Sequence, residues 1–128
     1  MIALLDTHGL LWDLLVPHRL SARAAQILQD PGARVLVSAA SAWEIAIKLA
    51  KGKVRLPVEP ASLLEVVTRD LRMEPVPVEF AHAIAAADLP PIHADPFDRL
   101  LVAQARILRV PILTADPNIA RYDVETIW

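Results

Sequence analysis

Five short apolar runs, separated by segments with helical patterns, constrain the fold of this chain most strongly. Most of the runs are continuously apolar rather than alternating, which is typical of strands that helices cover on both faces. The sequence therefore predicts an α/β domain with three layers, in which a central parallel sheet of about five strands lies between helices. The candidate strands are Ile2–Leu5, Val35–Ser38, Pro75–Val78, Pro111–Thr114 and Val124–Ile127.

The segments between these runs carry helix start and stop signals. Pro31 and Gly32 end one helix, Gly52 ends another, and Pro96 suits the first position of a third. Only Pro90–Ala94 is expected to form a substantial irregular connection. The predicted helices are one that Ser21 caps and that runs to about Asp30, followed by Ala39–Lys51, Pro60–Leu71, Glu79–Ala87 and Asp95–Arg109.

Length and composition limit the class of protein. A chain of 128 residues fits a single domain over 1–128 with a self-sufficient core. No apolar stretch is long enough to span a bilayer, and Asp6 interrupts the N-terminal run too early for a secretory signal, so we expect a cytoplasmic protein. With no cysteine, any metal must be held by oxygen or imidazole. The formal charge of −2 argues mildly against a nucleic-acid binder, although local charge matters more than the sum.

Four acidic residues fall where a parallel sheet binds ligands, beyond the carboxyl ends of its strands. Asp6 directly follows the first strand, and Asp116 follows the fourth. Glu44 lies about two turns into the helix that leaves the second strand, and Asp98 lies in the first turn of the last helix. The topology predicts that all four side chains meet at one edge.

Four clustered carboxylates would repel one another unless a cation lay between them. Oxygen ligands suit Mg²⁺ or Mn²⁺, and Mg²⁺ commonly bridges a few carboxylates and substrate phosphate oxygens. Hydrolysis of a phosphodiester is the chemistry that such a site suits.

Each acid also has a structural interpretation when it is taken alone. Asp6 could cap a helix, and Asp116 could begin a turn or short helix. Glu44 could pair with Lys48 one turn later, a contact worth about 0.3–0.5 kcal/mol. The segment Asp95–Asp98 has the layout of a capping box.

The basic, histidine and tryptophan residues are less specific. The basic cluster is either a solvated face or a track for nucleic-acid phosphates, and its position near Glu44 favours the second interpretation. The histidines lack metal-ligand spacing, so we expect surface or capping roles and no zinc site. The tryptophans are expected in the core or at an interface. These residues are Lys48, Lys51, Lys53 and Arg55; His8, His18, His82 and His93; and Trp12, Trp43 and Trp128.

Four sequence motifs in order resemble those of PIN-domain nucleases, specifically the VapC-like toxins of type II toxin–antitoxin pairs. They are Leu4–His8, Ser38 with Ala42–Ile45, His93–Arg99 and Leu113–Asp116. The resemblance covers essentially the whole chain. It implies a parallel sheet between helices, an Mg²⁺ or Mn²⁺ site, RNA substrates, a homodimer, and a cognate antitoxin that enters or covers the site.

The resemblance also implies roles for individual residues. The metal-site and catalytic residues carried over by motif are Asp6, Glu44, Asp98 and Asp116. Groups that position those acids or water are Thr7, Ser38 and Thr114, with Asp95 as an auxiliary acid. The leading hypothesis is therefore a metal-dependent endoribonuclease toxin.

Two other functions remain open at this point. A phosphomonoesterase with an aspartate nucleophile would use Asp6, but it usually has a second acid two residues later, where this chain has His8, and a lysine near its later acids, whereas none follows Lys53. A catalytically silent module that binds RNA or an antitoxin is the alternative from another class. The intact set of four acids argues against that alternative.

Overall fold

The computed structural model describes all residues, Met1–Trp128, and contains one five-stranded sheet. The strands are β1 (Ile2–Leu5), β2 (Arg34–Ser38), β3 (Glu74–Val76), β4 (Ile112–Leu113) and β5 (Thr126–Ile127). Their spatial order is β3-β2-β1-β4-β5, and every neighbouring pair is parallel. The predicted parallel sheet of about five strands is confirmed.

Six α-helices surround the sheet. They are α1 (Thr7–Leu15), α2 (Ala22–Gln29), α3 (Ala39–Ala50), α4 (Leu63–Glu65), α5 (Phe80–Ala87) and α6 (Pro96–Leu108). Short 3₁₀ turns occupy Pro17–Arg19, Pro60–Ser62 and Ile119–Arg121. Ser21 caps α2 as predicted, because its hydroxyl accepts a hydrogen bond from the Ala24 backbone at 3.0 Å. None of these helices combines the length and apolar character that crossing a membrane requires.

The two faces of the sheet bury separate sets of side chains. Ala3 and Leu5 belong to the core that includes Leu10 of α1, whereas Leu4 points the other way and packs with Leu101 of α6. This alternation follows from the period of two along a strand. Helices therefore cover both faces, and the three-layer prediction is confirmed.

The predicted helix over Pro60–Leu71 is not continuous. It divides into the 3₁₀ turn, the short α4 and a π-helical turn over Val66–Asp70. The hydroxyl of Thr68 donates to the Leu64 carbonyl at 2.7 Å, a contact that bends helices, and three consecutive β-branched residues begin at Val66. Burial of Val66 and Val67 takes precedence over regular helical geometry here.

Two further differences concern the connections. Residues 53–59 form an irregular segment that the sequence pattern did not indicate, in addition to the predicted one near Pro90–Ala94. Helix α1 was anticipated only through the capping interpretation of Asp6. Both differences lie outside the sheet, and they leave its predicted topology unchanged.

The sheet order determines where a ligand can bind. The chain builds β1, β2 and β3 outward in one direction, then returns to place β4 on the other side of β1. Strand order therefore reverses between β1 and β4, which is the position where open parallel sheets bind ligands. Leu5 and Leu113 pair in register at this point, so the residues that follow them, Asp6 and Thr114, are neighbours.

Candidate metal site

Asp6 lies at the end of β1, and both of its carboxylate oxygens are engaged. Oδ1 accepts a hydrogen bond from the Gly9 backbone at 2.7 Å, which caps α1, and Oδ2 accepts one from the Thr114 hydroxyl. A Cβ on Gly9 would lie 2.7 Å from Leu5 Cδ1 and 2.8 Å from Asp6 Oδ1, so only glycine fits this position. The capping interpretation of Asp6 is thus realised, and the carboxylate is held in one orientation.

Burial is the largest influence on Asp6 and raises its pKa. The hydrogen bonds from Thr114 and Gly9 and the nearby His8 oppose this, while the negative charge of Asp116 raises the pKa further. The influence of Asp116 indicates that the two carboxylates face the same space. A cleft of about 220 Å³ is lined by Asp6, His8 and Asp116 among others.

Asp98 is buried in the first turn of α6 and is held in a different way. The backbone of Asp98 donates to Asp95 Oδ1 at 3.1 Å, and Phe97 donates to the same oxygen at 2.8 Å. Asp95 is therefore the helix cap, as one interpretation of the sequence proposed. The Asp98 carboxylate does not take part in capping, and its Oδ2 lies 3.0 Å from Nε2 of His93.

The surroundings of Asp98 raise its pKa to about 6. Burial is the main cause, followed by the negative charge of Asp95, with smaller contributions from Asp116 and Glu44. Only the hydrogen bond with His93 acts in the opposite direction. A buried carboxyl group surrounded by other acids is a common feature of functional sites.

Asp116 also has a local structural role. Its backbone N–H donates to the Thr114 hydroxyl at 3.0 Å, and its Oδ1 accepts from the Asn118 backbone at 2.8 Å. The side chain is half-buried, and potential ligand atoms of Asp116, Asp98 and His93 all lie within 4.8 Å of one another. The turn that Asp116 begins therefore also directs it toward the other acids.

Glu44 is buried in α3, and its two oxygens differ. Oε2 lies 3.1 Å from the Lys48 ammonium group, so the predicted pair one turn apart is present. Oε1 is buried and has no hydrogen-bond partner. An unpaired carboxylate oxygen in the interior is costly, and a bound cation would satisfy it. This oxygen and the oxygen-rich donor set fit a divalent cation.

The structure thus brings the four predicted acids to one edge, but not with equal spacing. Asp98 and Asp116 form the compact centre together with His93. Asp6 and Glu44 are not members of that compact group, although the charge of Asp116 raises the pKa of Asp6 and the charge of Glu44 raises that of Asp98. Surface or capping roles were expected for the histidines, but the His93 ring is half-buried and its Nε2 lies 3.0 Å from Asp98 Oδ2.

His93 lies in the irregular connection before α6, and Arg99 holds that connection in place. One nitrogen of the Arg99 guanidinium group donates to Pro90 O at 2.9 Å and His93 O at 3.4 Å. The other donates to Ala86 O and Leu89 O at 2.9 and 3.0 Å. No periodicity or spacing could reveal this role of Arg99, because its partners are backbone carbonyls of an irregular segment.

The predicted positioning groups have distinct contacts. Thr114 donates to Asp6 and therefore contacts a candidate ligand. The Thr7 hydroxyl donates to Ser41 at 3.0 Å and ties α1 to α3, while Ser38 caps α3 by accepting from Ala40 at 3.0 Å. Thr7 and Ser38 therefore act on the helices that carry the acids.

The basic cluster divides into two parts. Lys48 is half-buried and paired with Glu44, whereas the rest is exposed beyond the end of α3. The exposed members are Lys51, Lys53 and Arg55. Only Lys48 of this cluster therefore contacts one of the four acids.

The other histidine and tryptophan predictions have mixed outcomes. His82 does cap a helix, because its Nδ1 accepts from the Glu79 backbone at 3.0 Å. Trp12 and Trp128 are half-buried and contact each other edge-on, with their ring centroids 5.6 Å apart. Trp43 is not in the core: it is 62% exposed and contacts Phe97 edge-on, so its interface role stays a prediction.

Comparisons with known proteins identify the family and the fold of the chain. A family model described as the PIN domain matches residues 3–125. A search of curated proteins finds no match.

Three solved structures have a similar fold. The first is VapBC2 from Rickettsia felis bound to a DNA fragment from their promoter, with 15% identity, coverage of 99% of this chain and 98% of that chain, and a TM-score of 0.73. The second is a toxin–antitoxin complex from Klebsiella pneumoniae, with 15% identity, coverage of 98% and 96%, and a TM-score of 0.66. The third is FitAcB from Neisseria gonorrhoeae, with 20% identity, coverage of 100% and 97%, and a TM-score of 0.65.

Proposed function

Because the chain belongs to the PIN domain family, we propose that it is a metal-dependent endoribonuclease and the toxin of a toxin–antitoxin pair. The observation that carries this proposal is the group of Asp98, Asp116 and His93 at the edge of the sheet where strand order reverses between β1 and β4. The unpaired Oε1 of the buried Glu44 supports it. Clustered carboxylates repel one another and cost free energy when no cation is bound, and a bound cation removes this repulsion.

Asp98 and Asp116 would hold an Mg²⁺ or Mn²⁺ ion, with Asp6 and Glu44 beside them. When bound, the cation would supply Lewis-acid stabilisation of a phosphoryl oxygen and lower the pKa of water. The protein's own contribution is to hold the acids in place before substrate arrives. Asp6 is fixed by Gly9 and Thr114, and Asp98 is fixed by the start of α6.

RNA would approach over the end of α3. The exposed Lys51, Lys53 and Arg55 can contact backbone phosphates without reading bases, which would guide a strand toward the acids. Lys48 would connect these exposed basic residues to the site, because its ammonium group contacts Glu44. Contacts of this type weaken steeply as salt concentration rises.

The toxin assignment draws on the resemblance to VapC-like toxins and on the neighbours with similar folds, which were solved as toxin–antitoxin complexes. By that similarity we propose a cognate antitoxin as partner, a homodimeric toxin, a cytoplasmic location and a single PIN domain over 1–128.

Cleavage of RNA by the purified protein tests the proposal. With Mg²⁺ or Mn²⁺ present, wild type should cleave RNA and its induced expression should arrest growth, whereas Asp98→Asn should lower cleavage by about 100-fold or more. The matched control is Asp123→Asn, since Asp123 is an exposed acid away from the site. Equal cleavage and equal growth arrest by wild type and Asp98→Asn would contradict the proposal.

A silent binding module remains a second candidate because one observation favours it. Both oxygens of Asp6 are already engaged by Gly9 and Thr114, as they would be in a purely structural role. In that case Mn²⁺ titration should show no saturable binding, and Asp98→Asn should bind RNA or antitoxin as well as wild type.

A further inference from the structure

His93 lies among the acids of the site, but the proposed function assigns its ring no chemical role. Its Nε2 lies 3.0 Å from Asp98 Oδ2, and Asp116 offers an oxygen within 4.8 Å of both. The acids alone would be sufficient for a magnesium site of the usual oxygen-rich type. A nitrogen donor among them therefore needs its own explanation.

The spacing of these atoms fits shared ligation. An octahedral cation with bonds of about 2.1 Å holds adjacent ligand atoms about 3.0 Å apart. The observed separation of Nε2 and Oδ2 has this value. Asp116 offers a third donor oxygen within 4.8 Å of both atoms.

We propose that Nε2 of His93 is a direct ligand of the divalent cation, together with Asp98 and Asp116, and that the site consequently prefers Mn²⁺ over Mg²⁺. Imidazole nitrogen binds first-row transition metals well, whereas Mg²⁺ selects oxygen ligands. This inference rests on the proposed function, because it requires that the acids bind a cation.

The segment that carries His93 is held rigidly, as a ligand-bearing loop should be. The His93 backbone N–H donates to the Tyr122 hydroxyl at 3.0 Å, and the His93 carbonyl accepts from Arg99 at 3.4 Å. Arg99 also fixes the preceding carbonyls of Ala86 and Pro90. The ring is thus directed at Asp98 by backbone contacts and not by that single hydrogen bond alone.

A second observation indicates a ligand at the same place. Glu44 is 6% exposed, its Oε1 has no partner, and its charge acts on Asp98. Glu44 is therefore a buried carboxylate, close enough for its charge to raise the pKa of Asp98, with one oxygen that the protein leaves unsatisfied. A cation held by the His93–Asp98–Asp116 group would supply positive charge to this buried, unsatisfied carboxylate.

The competing role for His93 is to donate an N–H to Asp98 and only orient it, as groups behind metal ligands often do. The two roles differ in one measurable property. A direct ligand places its nitrogen in contact with the electron spin of Mn²⁺, whereas an orienting group does not. Pulsed electron paramagnetic resonance of Mn²⁺ detects a bonded nitrogen through its modulation of the spin echo.

The experiment uses the full chain with Mn²⁺ alone. Wild type should show nitrogen modulation, and His93→Gln should lose it and bind Mn²⁺ about tenfold or more weakly. Mg²⁺ affinity, measured by competition, should fall less, so the preference for Mn²⁺ should shrink. The matched control is His18→Gln, since His18 lies exposed in the turn Pro17–Arg19 and should leave the signal unchanged.

Three results would overturn the inference, and they separate it from the proposed function. Saturable Mn²⁺ binding by wild type without nitrogen modulation would remove His93 as a ligand and leave the acidic site intact. Persistence of the modulation in a folded His93→Gln variant would have the same effect. Absence of any Mn²⁺ binding by wild type would contradict both proposals. If His93→Gln fails to fold, the presence or absence of nitrogen modulation in the wild-type spectrum is sufficient to test whether a nitrogen binds the Mn²⁺ ion.

Discussion

The two buried aspartates of the site, Asp6 and Asp98, have opposite surroundings. Asp6 receives hydrogen bonds from Gly9 and Thr114, so burial of its carboxylate is partly compensated by the protein. Asp98 has only His93 as a side-chain partner and is surrounded by the charges of other acids. The protein therefore supplies hydrogen-bond donors to both oxygens of Asp6, whereas it surrounds Asp98 mainly with negative charge, an arrangement that suits a cation.

The two aspartates therefore differ in role: Asp6 has a structural role, whereas the surroundings of Asp98 suit a functional one. Asp6 supports the fold by capping α1 and joining β1 to the segment after β4. Asp98 leaves capping to Asp95 and contributes little to local structure. Substitution of the two residues should consequently change the free energy of unfolding in opposite directions.

The largest expected effect on stability comes from Asp98. Its pKa is raised from 3.8 to about 6, so between these values the folded state binds more protons than the unfolded state. Without metal, the free energy of unfolding should therefore fall as pH rises through this window, by up to about 3 kcal/mol. Asp98→Asn should lack this component and be more stable than wild type at pH 7. Urea unfolding of wild type and Asp98→Asn at several pH values measures the pH dependence and the difference in stability. If the free energy of unfolding changed with pH in the same way for the two proteins, the proposed effect of the Asp98 surroundings would be contradicted.

Removal of the Asp6 carboxylate should destabilise the protein, and the change in the free energy of unfolding should be smaller than for Asp98. Asp6→Ala removes the cap of α1 and the acceptor of the Thr114 hydroxyl, which should destabilise the protein by about 1–2 kcal/mol. Asp6→Asn keeps an acceptor for the Gly9 N–H and should lose less. Thermal unfolding of the two variants is the measurement, and an Asp6→Ala protein as stable as wild type would show that the cap is dispensable.

The smallest effect concerns Lys48, the cationic partner of Glu44. Lys48→Gln should lower stability without metal by about 0.5 kcal/mol, the scale of a pair one helical turn apart. It should also gain more stability from added Mn²⁺ than wild type does, because the buried Glu44 has then lost its other cation. Lys51→Gln is the control, since Lys51 is exposed beyond α3. If Mn²⁺ stabilised Lys48→Gln and Lys51→Gln equally, the result would contradict the proposal that Glu44 belongs to the metal site.

Much of the fold was predictable from the sequence for a simple physical reason. Strands buried on both faces must be continuously apolar, so β1 and β2 are visible in the residue pattern. The segment after Pro60 was not predictable in the same way, because local hydrogen bonding by Thr68 and burial of Val66 compete with helical propensity. That competition is decided by tertiary packing.

The site was predictable to the extent that strand ends determine it. Asp6 and Asp116 follow strands, so topology alone places them at one edge. His93 could not be located this way, because the path of its irregular segment depends on Arg99 and on the carbonyls that Arg99 contacts. The presence of His93 five residues before Asp98 was the available signal, but that spacing has no periodic meaning in a loop.

Anomalous scattering from a crystal of the protein grown with Mn²⁺ tests the central claim most directly. We expect one strong peak within bonding distance of Asp98 and Asp116, adjacent to Glu44. A saturating Mn²⁺ concentration that leaves no peak at these acids, in a protein that still cleaves RNA, would contradict the claim that they form the metal site.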